Sequence, residues 1–281
     1  AMISLERLQE FKFNSTELSS ILTEEHFDFP RASRWMDEHA GLAVQAIIVY
    51  LIGIFAIKIW MRNRQPFDLR LPLALWNFII ANLSGLCALA MAYEYLSALY
   101  FHGFNETLCG FQDELYRGRI GNAVFVLLLA RLPEFVDTFF IVLRKQKLMF
   151  IHWYHHSATL FVGWLTYSAA VPGEIHLIFV NSIIHTFMYS YFYVTALGLK
   201  PYPFIAKTIT GVQITQFFGA LYGLGYIAYS NYFLNKSCNV DMETFAIHGA
   251  LIFSYTYLFV DFFITKYLES KPIDEHIKKS Q

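Results

Sequence analysis

The sequence predicts an all-α polytopic membrane protein of roughly seven transmembrane helices. Hydrophobic residues fill 56% of its 281 positions and charged residues only 15%, where a soluble domain carries about 25% charge. The apolar residues also fall in runs long enough for a helix to cross hydrocarbon, which takes about 20 residues. Barrel strands would alternate in polarity and need only about 10 residues each, and these runs do not alternate. A net charge of −1 supplies no basic field for nucleic acid.

The leader, residues 1–38, is mixed and amphipathic and reads as a short lumenal segment with an interfacial helix. Apolar runs follow at 41–61, 72–100, 120–143, 150–170, 175–198, 204–229 and 245–267, each read as one span. A tail, 268–281, closes the chain. No repeat, low-complexity tract or Gly/Ser linker divides it, so residues 1–281 read as one domain.

Lysine and arginine set the orientation. With a lumenal N-terminus, the cytosolic segments hold Lys58, Arg62, Arg64, Arg70, Arg144, Lys145, Lys147, Lys200, Lys207, Lys266, Lys271, Lys278 and Lys279. The opposite loops hold only Arg117, Arg119 and Lys236, with four more basic residues in the leader. This is the positive-inside bias, and an odd number of spans then leaves the C-terminus cytosolic. Glycosylation acceptors at Asn14, Asn105 and Asn235 all fall on the lumenal side. Cys109 and Cys238 lie in two loops of that same side, where an oxidising compartment favours a disulfide over two free thiols. Cys87, inside the second span, reads as packing. Lys278-Lys279 near the end looks like the cytosolic dilysine retrieval address of endoplasmic-reticulum membrane proteins.

Charged residues near a helix centre cost about 2.5–3.5 kcal/mol on insertion scales, so they should be few, paired and turned from lipid. The third span nevertheless holds Arg131, Glu134, Asp137 and Thr138. Arg131, Glu134 and Thr138 share a face at i, i+3, i+7. A structural Arg131–Glu134 pair would explain two of them and leave Asp137 without a reason. The fourth span opens with His152, His155 and His156, three imidazoles on one stripe. The fifth carries Asn181, His185, Met188, Tyr189 and Phe192, and the sixth Thr210, Gln213 and Gln216. For those two spans alone, polar glue between helices is an equal alternative.

Depth gathers these residues. The link between the third and fourth spans is short, so those helices are antiparallel neighbours. At 1.5 Å per residue, Glu134 and Asp137 lie roughly 9–14 Å below the cytosolic end of their helix and His152 to His156 about 5–12 Å. His185, Gln213 and Gln216 come out at roughly 14–20 Å. A buried polar cluster shared by four helices is a functional site by default.

Imidazoles beside carboxylates support metal binding or acyl transfer with imidazole as nucleophile or base. His-x-x-His-His also occurs in membrane di-iron desaturases and hydroxylases, which carry several such boxes. Here His176 and His248 sit at the lumenal ends, away from the cluster, leaving four clustered histidines. Di-iron chemistry is therefore the alternative, and the leading expectation is an enzyme with no metal and no cofactor.

The block Arg131-Leu132-Pro133-Glu134-Phe135-Val136-Asp137-Thr138 resembles the K-x-x-E-[LF]-x-D-T signature of the very-long-chain fatty acid elongases, the ketoacyl-CoA synthases of the endoplasmic reticulum. His152-x-x-His155-His156, Asn181-x-x-x-His185-x-x-Met188-Tyr189-x-Tyr191 and Thr210-x-x-Gln213-x-x-Gln216 follow in the family's order and spacing. Arg131 stands where Lys is usual, and Phe192 where a second Tyr is usual. The tract Leu143 to Leu148 and the histidine block after it are most similar to the branch extending saturated and monounsaturated acyl chains.

The resemblance implies condensation of acyl-CoA with malonyl-CoA to 3-ketoacyl-CoA, CO₂ and free CoA, inside a ring of helices two to seven around an acyl tunnel closed at its lumenal end. It implies association with the ketoacyl reductase, dehydratase and enoyl reductase of the cycle, and a homodimer is a further expectation. Within this frame His155 is the expected nucleophile, oriented by Glu134 or Asp137, with His152, His156 and His185 stabilising charge or relaying protons; the alternative is direct condensation with His155 as base. Arg131, Asn181, Tyr189, Gln213 and Gln216 are expected to bind substrate. Arg144, Lys145, Lys147, Lys207 and Lys266 are expected to meet CoA phosphates at the cytosolic mouth, or only to set topology.

Overall fold

The computed structural model describes residues 8, 10, 12–110, 112–233, 238 and 240–269. Among the described residues every regular element is helical. The leader forms α1 (Ser15–Thr23) and α2 (Phe29–Glu38). Asn14 caps α1, its Oδ1 accepting the Glu17 amide at 3.0 Å, and Asp28 caps α2 by accepting the Arg31 amide at 3.1 Å.

One face of α2 packs against the bundle. Ala32, Trp35 and Met36, one helical stripe, are buried. Trp35 packs against Phe125 and Trp164, and the Trp164 indole donates to the Met36 carbonyl at 2.8 Å. Burying a large apolar side chain yields about 1.5–3 kcal/mol, more than a half-solvated headgroup position would give the same stripe. His39, just beyond α2, stacks on Trp35 at 4.1 Å and accepts the Asn14 amide at Nε2, 3.0 Å away. Its Nδ1 therefore carries the proton and faces the Trp35 carbonyl at 2.7 Å.

All seven apolar runs are helical: α3 (Ala40–Trp60), α4 (Arg70–Asn105), α6 (Gly118–Ala130) with α7 (Val136–Leu143), α8 (Phe150–Thr166), α9 (Glu174–Ala196), α10 (Pro203–Phe233) and α11 (Met242–Tyr267). A short α5 (Gln112–Leu115) precedes α6. Among the described residues four helices are long and apolar enough to cross a bilayer by length and composition: α3, Arg70–Cys109, α9 and α11. Large apolar side chains stand exposed along them, Leu71, Leu89 and Phe253 among others, as a lipid-facing surface requires.

The third run is not one straight helix. Pro133 lacks an amide hydrogen and its ring excludes the carbonyl four residues back. The amides of Arg131 and Leu132 therefore turn to the carbonyls of Leu128 and Leu129, and Pro133–Phe135 forms a 3₁₀ turn between α6 and α7. This break lies at the acidic motif. Gly103, with φ of 73°, bends the end of α4 into a π-turn, Glu106–Gly110, that presents Cys109. Cys109 and Cys238 form a disulfide, their Cα atoms 4.5 Å apart, and Cys87 is free and buried. Asp241 caps α11, and the hydroxyl and amide of Thr244 hold its carboxyl below the usual carboxylate range.

The packing partners run in sequence. α4 lies along α9 and touches α6; α9 meets α10; α10 meets α11; α11 meets α8; and α8 touches α6. α3 stands outside these, against α7 and α8.

Candidate active site

The helical repeat of α8 sends His152, His155 and His156 into one cavity of about 470 Å³. Its walls also come from α4, α7, α9, α10 and α11, and include Asp137, Asn181, His185, Tyr189, Gln213 and Gln216. The rings of His152 and His156 are 4.5 Å apart and those of His155 and His156 5.7 Å. His155 is held between Tyr255 at 4.9 Å and Phe259 at 6.2 Å, both on α11. The Tyr255 hydroxyl also donates to the His155 carbonyl at 3.2 Å.

Thr138, on α7, meets His152 Nε2 at 2.9 Å. Its hydroxyl also meets that of Tyr50, from α3, at 2.7 Å. Tyr50 in turn stacks on Phe135 at 4.0 Å. A chain of two hydroxyls thus reaches His152 from a helix outside the others, each able to donate toward the imidazole.

The carboxylates take other partners than the one expected. Asp137 accepts the Trp76 indole N–H at Oδ1, 2.5 Å, and the Tyr189 hydroxyl at Oδ2, 2.6 Å. Glu134 is only 3% exposed and accepts from Arg131 Nη1 at 2.8 Å. The same guanidinium donates to Asn181 Oδ1 at 3.0 Å and lies 3.5 Å from His185 Nδ1. Neither acid is hydrogen bonded to His155, and Arg131 and Glu134 sit behind the cavity wall. Their pair fixes Asn181 and His185, which do line it.

Gln213 donates to the Met188 sulfur at 3.3 Å, while the Gln216 side-chain oxygen is buried without a partner among the described residues. Gln216 also lines a second, mostly apolar cavity of about 390 Å³, so the two spaces adjoin at this residue. The second cavity continues between α9, α10 and α11 to Pro172, Gly173 and Leu108.

The ELO: GNS1/SUR4 family profile matches residues 35–275. The chain belongs to the ELO family. It is 34% identical to long chain fatty acid elongase 1 of Caenorhabditis elegans over 266 residues, 94% of this chain and 92% of that protein. It is 33% identical to very long chain fatty acid elongase 6 of Drosophila melanogaster, over 87% of this chain and 78% of that one. With very long chain fatty acid elongase 6 of Gallus gallus the identity is 31%, over 95% and 96%.

In this ELO chain the five basic residues expected at the CoA phosphates are not placed as one group. Arg144 and Lys266 line the mouth of the first cavity. Lys145, at φ of 52°, donates to the carbonyls of Arg62 and Arg64 at 3.1 and 2.9 Å, clamping two loops together. Lys147 is exposed, and Lys207 lies over the Phe263 ring at 5.7 Å. Among the described residues no three His, Cys, Asp or Glu side chains are placed to hold a metal ion. Asn14 is exposed, whereas Asn105 is half-buried and accepts the Tyr226 hydroxyl at 3.0 Å. Asn235, Lys278 and Lys279 lie outside the described residues.

Sequence reasoning missed Trp76, Tyr50, Tyr255 and Phe259. Each is an aromatic residue within an apolar run, where a ring reads as core or lipid-facing surface. The one available signal is that a buried Trp N–H or Tyr O–H needs a partner.

Proposed function

We propose that this ELO chain is the condensing enzyme of microsomal fatty acid elongation. Acyl-CoA and malonyl-CoA give 3-ketoacyl-CoA, CO₂ and free CoA, with no cofactor beyond the two substrates. The observation that carries this is an imidazole-lined cavity adjoining a mostly apolar one, with Gln216 lining both. An acyl chain fits the apolar space while its thioester stands among His152, His155 and His156. The family membership and the elongase relatives support the same reading.

Helices α4 to α11, without α5, make a closed ring of spans two to seven around this space, and the neighbour relations of those helices support it. The whole chain acts as a single unit in the endoplasmic-reticulum membrane, with a lumenal N-terminus and a cytosolic C-terminus, as the lysine and arginine bias favours. Arg144 and Lys266 meet the CoA phosphates at the mouth, and the later enzymes of the cycle take the product from that side.

His155 is the nucleophile. Its nitrogen attacks the thioester carbon, the C–S bond breaks and CoA leaves as thiol, taking a proton that neighbouring imidazoles relay. Malonyl-CoA then loses CO₂, and the enolate carbon attacks the acyl-imidazole, forming the new C–C bond and releasing His155. Water would hydrolyse that intermediate, so a narrow apolar space protects it. His152, His156 and His185 stabilise the developing charge. Arg131 cannot readily lose its proton and acts through its pairing with Glu134 and Asn181.

Intact-mass measurement after incubation with acyl-CoA alone tests the covalent step. One acyl group added to the wild type and absent in His155→Ala is the expected result, and an adduct that persists in that variant sinks the assignment. Loss of ¹⁴CO₂ from carboxyl-labelled malonyl-CoA, dependent on acyl-CoA, tests the condensation itself. Stoichiometric iron in active protein would point instead to the desaturase reading.

A further inference from the structure

The distal cavity is apolar along its walls but not at its far half. His176 lines it with both ring nitrogens buried and without hydrogen-bond partners among the described residues. The ring itself is fixed, edge-on to Tyr95 at 5.2 Å and to Phe104 at 5.6 Å. His248, on α11, lines the same cavity and is 8% exposed, and its Nδ1 is likewise buried and unpartnered among the described residues. Gln216 adds an unpartnered side-chain oxygen at the boundary with the catalytic cavity. Buried polar atoms are almost always paired, and a space meant only for methylenes would be lined better by Leu or Phe. Two imidazoles on different helices thus offer unpartnered nitrogens to one mostly apolar cavity.

We propose that these two imidazoles are a seat for a hydroxyl group on the distal part of the acyl chain, making the enzyme an elongase of hydroxylated acyl-CoAs as well as plain ones. A hydroxyl can donate to one imidazole nitrogen and accept from an N–H of the other, because each neutral ring offers one donor and one acceptor. A methyl group in the same place leaves both rings unpaired. A carboxylate is disfavoured, since Glu174 lines the same cavity as a third polar group, already accepting from the Tyr116 hydroxyl at 3.0 Å.

Helix geometry sets where the hydroxyl must be. His176 precedes His185 by nine residues on α9, and His248 precedes Tyr255, the neighbour of His155, by seven on α11. At 1.5 Å rise per residue the seat therefore lies about 10–14 Å from the catalytic layer. An extended chain advances about 1.2 Å per bond, so the hydroxyl belongs roughly 8–12 bonds beyond the thioester carbon.

The inference rests on the elongase reading above, and one experiment separates the two. Purified full-length protein in bilayer nanodiscs is given labelled malonyl-CoA and acyl-CoAs of equal length, plain or hydroxylated at successive carbons. The expected result is a kcat/KM about 5-fold or more higher for chains hydroxylated in the 8–12-bond window than for plain ones, matching one net hydrogen bond. Hydroxyls nearer the thioester give no such gain. His248→Phe and His176→Leu are each expected to remove the preference and to leave plain chains elongated. Equal or lower rates for every hydroxylated chain in the wild type overturn the inference, whatever the variants do. No elongation of any acyl-CoA, plain ones included, would instead sink the elongase reading.

Discussion

The Tyr189 hydroxyl on α9 donates to Asp137 Oδ2 on α7 at 2.6 Å, while the Trp76 indole on α4 donates to the other oxygen. Three helices therefore close on one carboxylate that lines the cavity. Tyr189→Phe keeps the ring and removes one of the two donors. Hydrogen bonds to charged groups contribute about 1.5–3 kcal/mol, so unfolding in detergent should begin at lower temperature and condensation should slow by an order of magnitude or more. Trp76→Phe should do the same through the other oxygen. A wild-type rate in both variants would show that Asp137 has no role in positioning the site.

Arg131 makes a different kind of join. Its guanidinium binds Glu134 and Asn181 at once, behind the cavity wall. Arg131→Ala leaves the Glu134 carboxylate buried and unpaired, a change that costs about 3–5 kcal/mol. Arg131→Lys keeps the charge and one of the two contacts, and should retain most activity. Arg131→Ala with Glu134→Ala should destabilise by less than the two single changes together. Thermal unfolding of the four proteins in one detergent measures this, and additive losses would show that the pair is not coupled.

The helical fold and the position of the cluster were legible because both rest on periodicity. The spacing of His152, His155 and His156 requires only that residues 150–166 be helical, and lipid leaves few alternatives. The Arg131–Glu134 pair was legible from its i, i+3 spacing, but the partners of Asp137 were not, because Trp76 and Tyr189 come from other helices with no motif to announce them. The packing of the leader was hidden for a different reason. An amphipathic stripe such as Ala32, Trp35 and Met36 reads the same whether it faces headgroups or a protein groove, and only the facing residues Phe125 and Trp164 decide. The division of labour among the basic residues was equally hidden, since charge alone does not tell the clamp made by Lys145 from the mouth position of Lys266.

Tyr50 acts on the site from outside it. Its hydroxyl reaches His152 only through Thr138. Tyr50→Phe preserves the stack on Phe135 and deletes the first link of the chain. A neutral hydrogen bond contributes about 0.5–1.5 kcal/mol, so kcat should fall roughly 2- to 12-fold. KM for acyl-CoA should be unchanged, because Tyr50 does not line the cavity. The pH profile of kcat should also move, as the ring nitrogen of His152 loses part of its support. A rise in KM with kcat intact would place Tyr50 in packing alone.

The Cys109–Cys238 disulfide closes a segment of 129 residues. For a soluble chain, closing a loop of about 100 residues yields roughly 4.7 kcal/mol in the entropy picture. Here the intervening helices remain confined by lipid when tertiary packing is lost, so the free chain has less entropy to lose and the gain should be nearer 2 kcal/mol. The bond also braces the distal cavity. Leu108, beside Cys109, lines that cavity and packs with Ile227 and Cys238. Cys109→Ser, Cys238→Ser and reductant should therefore lower the unfolding temperature alike. They should also slow elongation of long acyl-CoAs, whose tails reach Leu108, more than that of short ones that stop near Gln216. An equal loss for both lengths would show that the disulfide stabilises the fold without shaping the end of the tunnel.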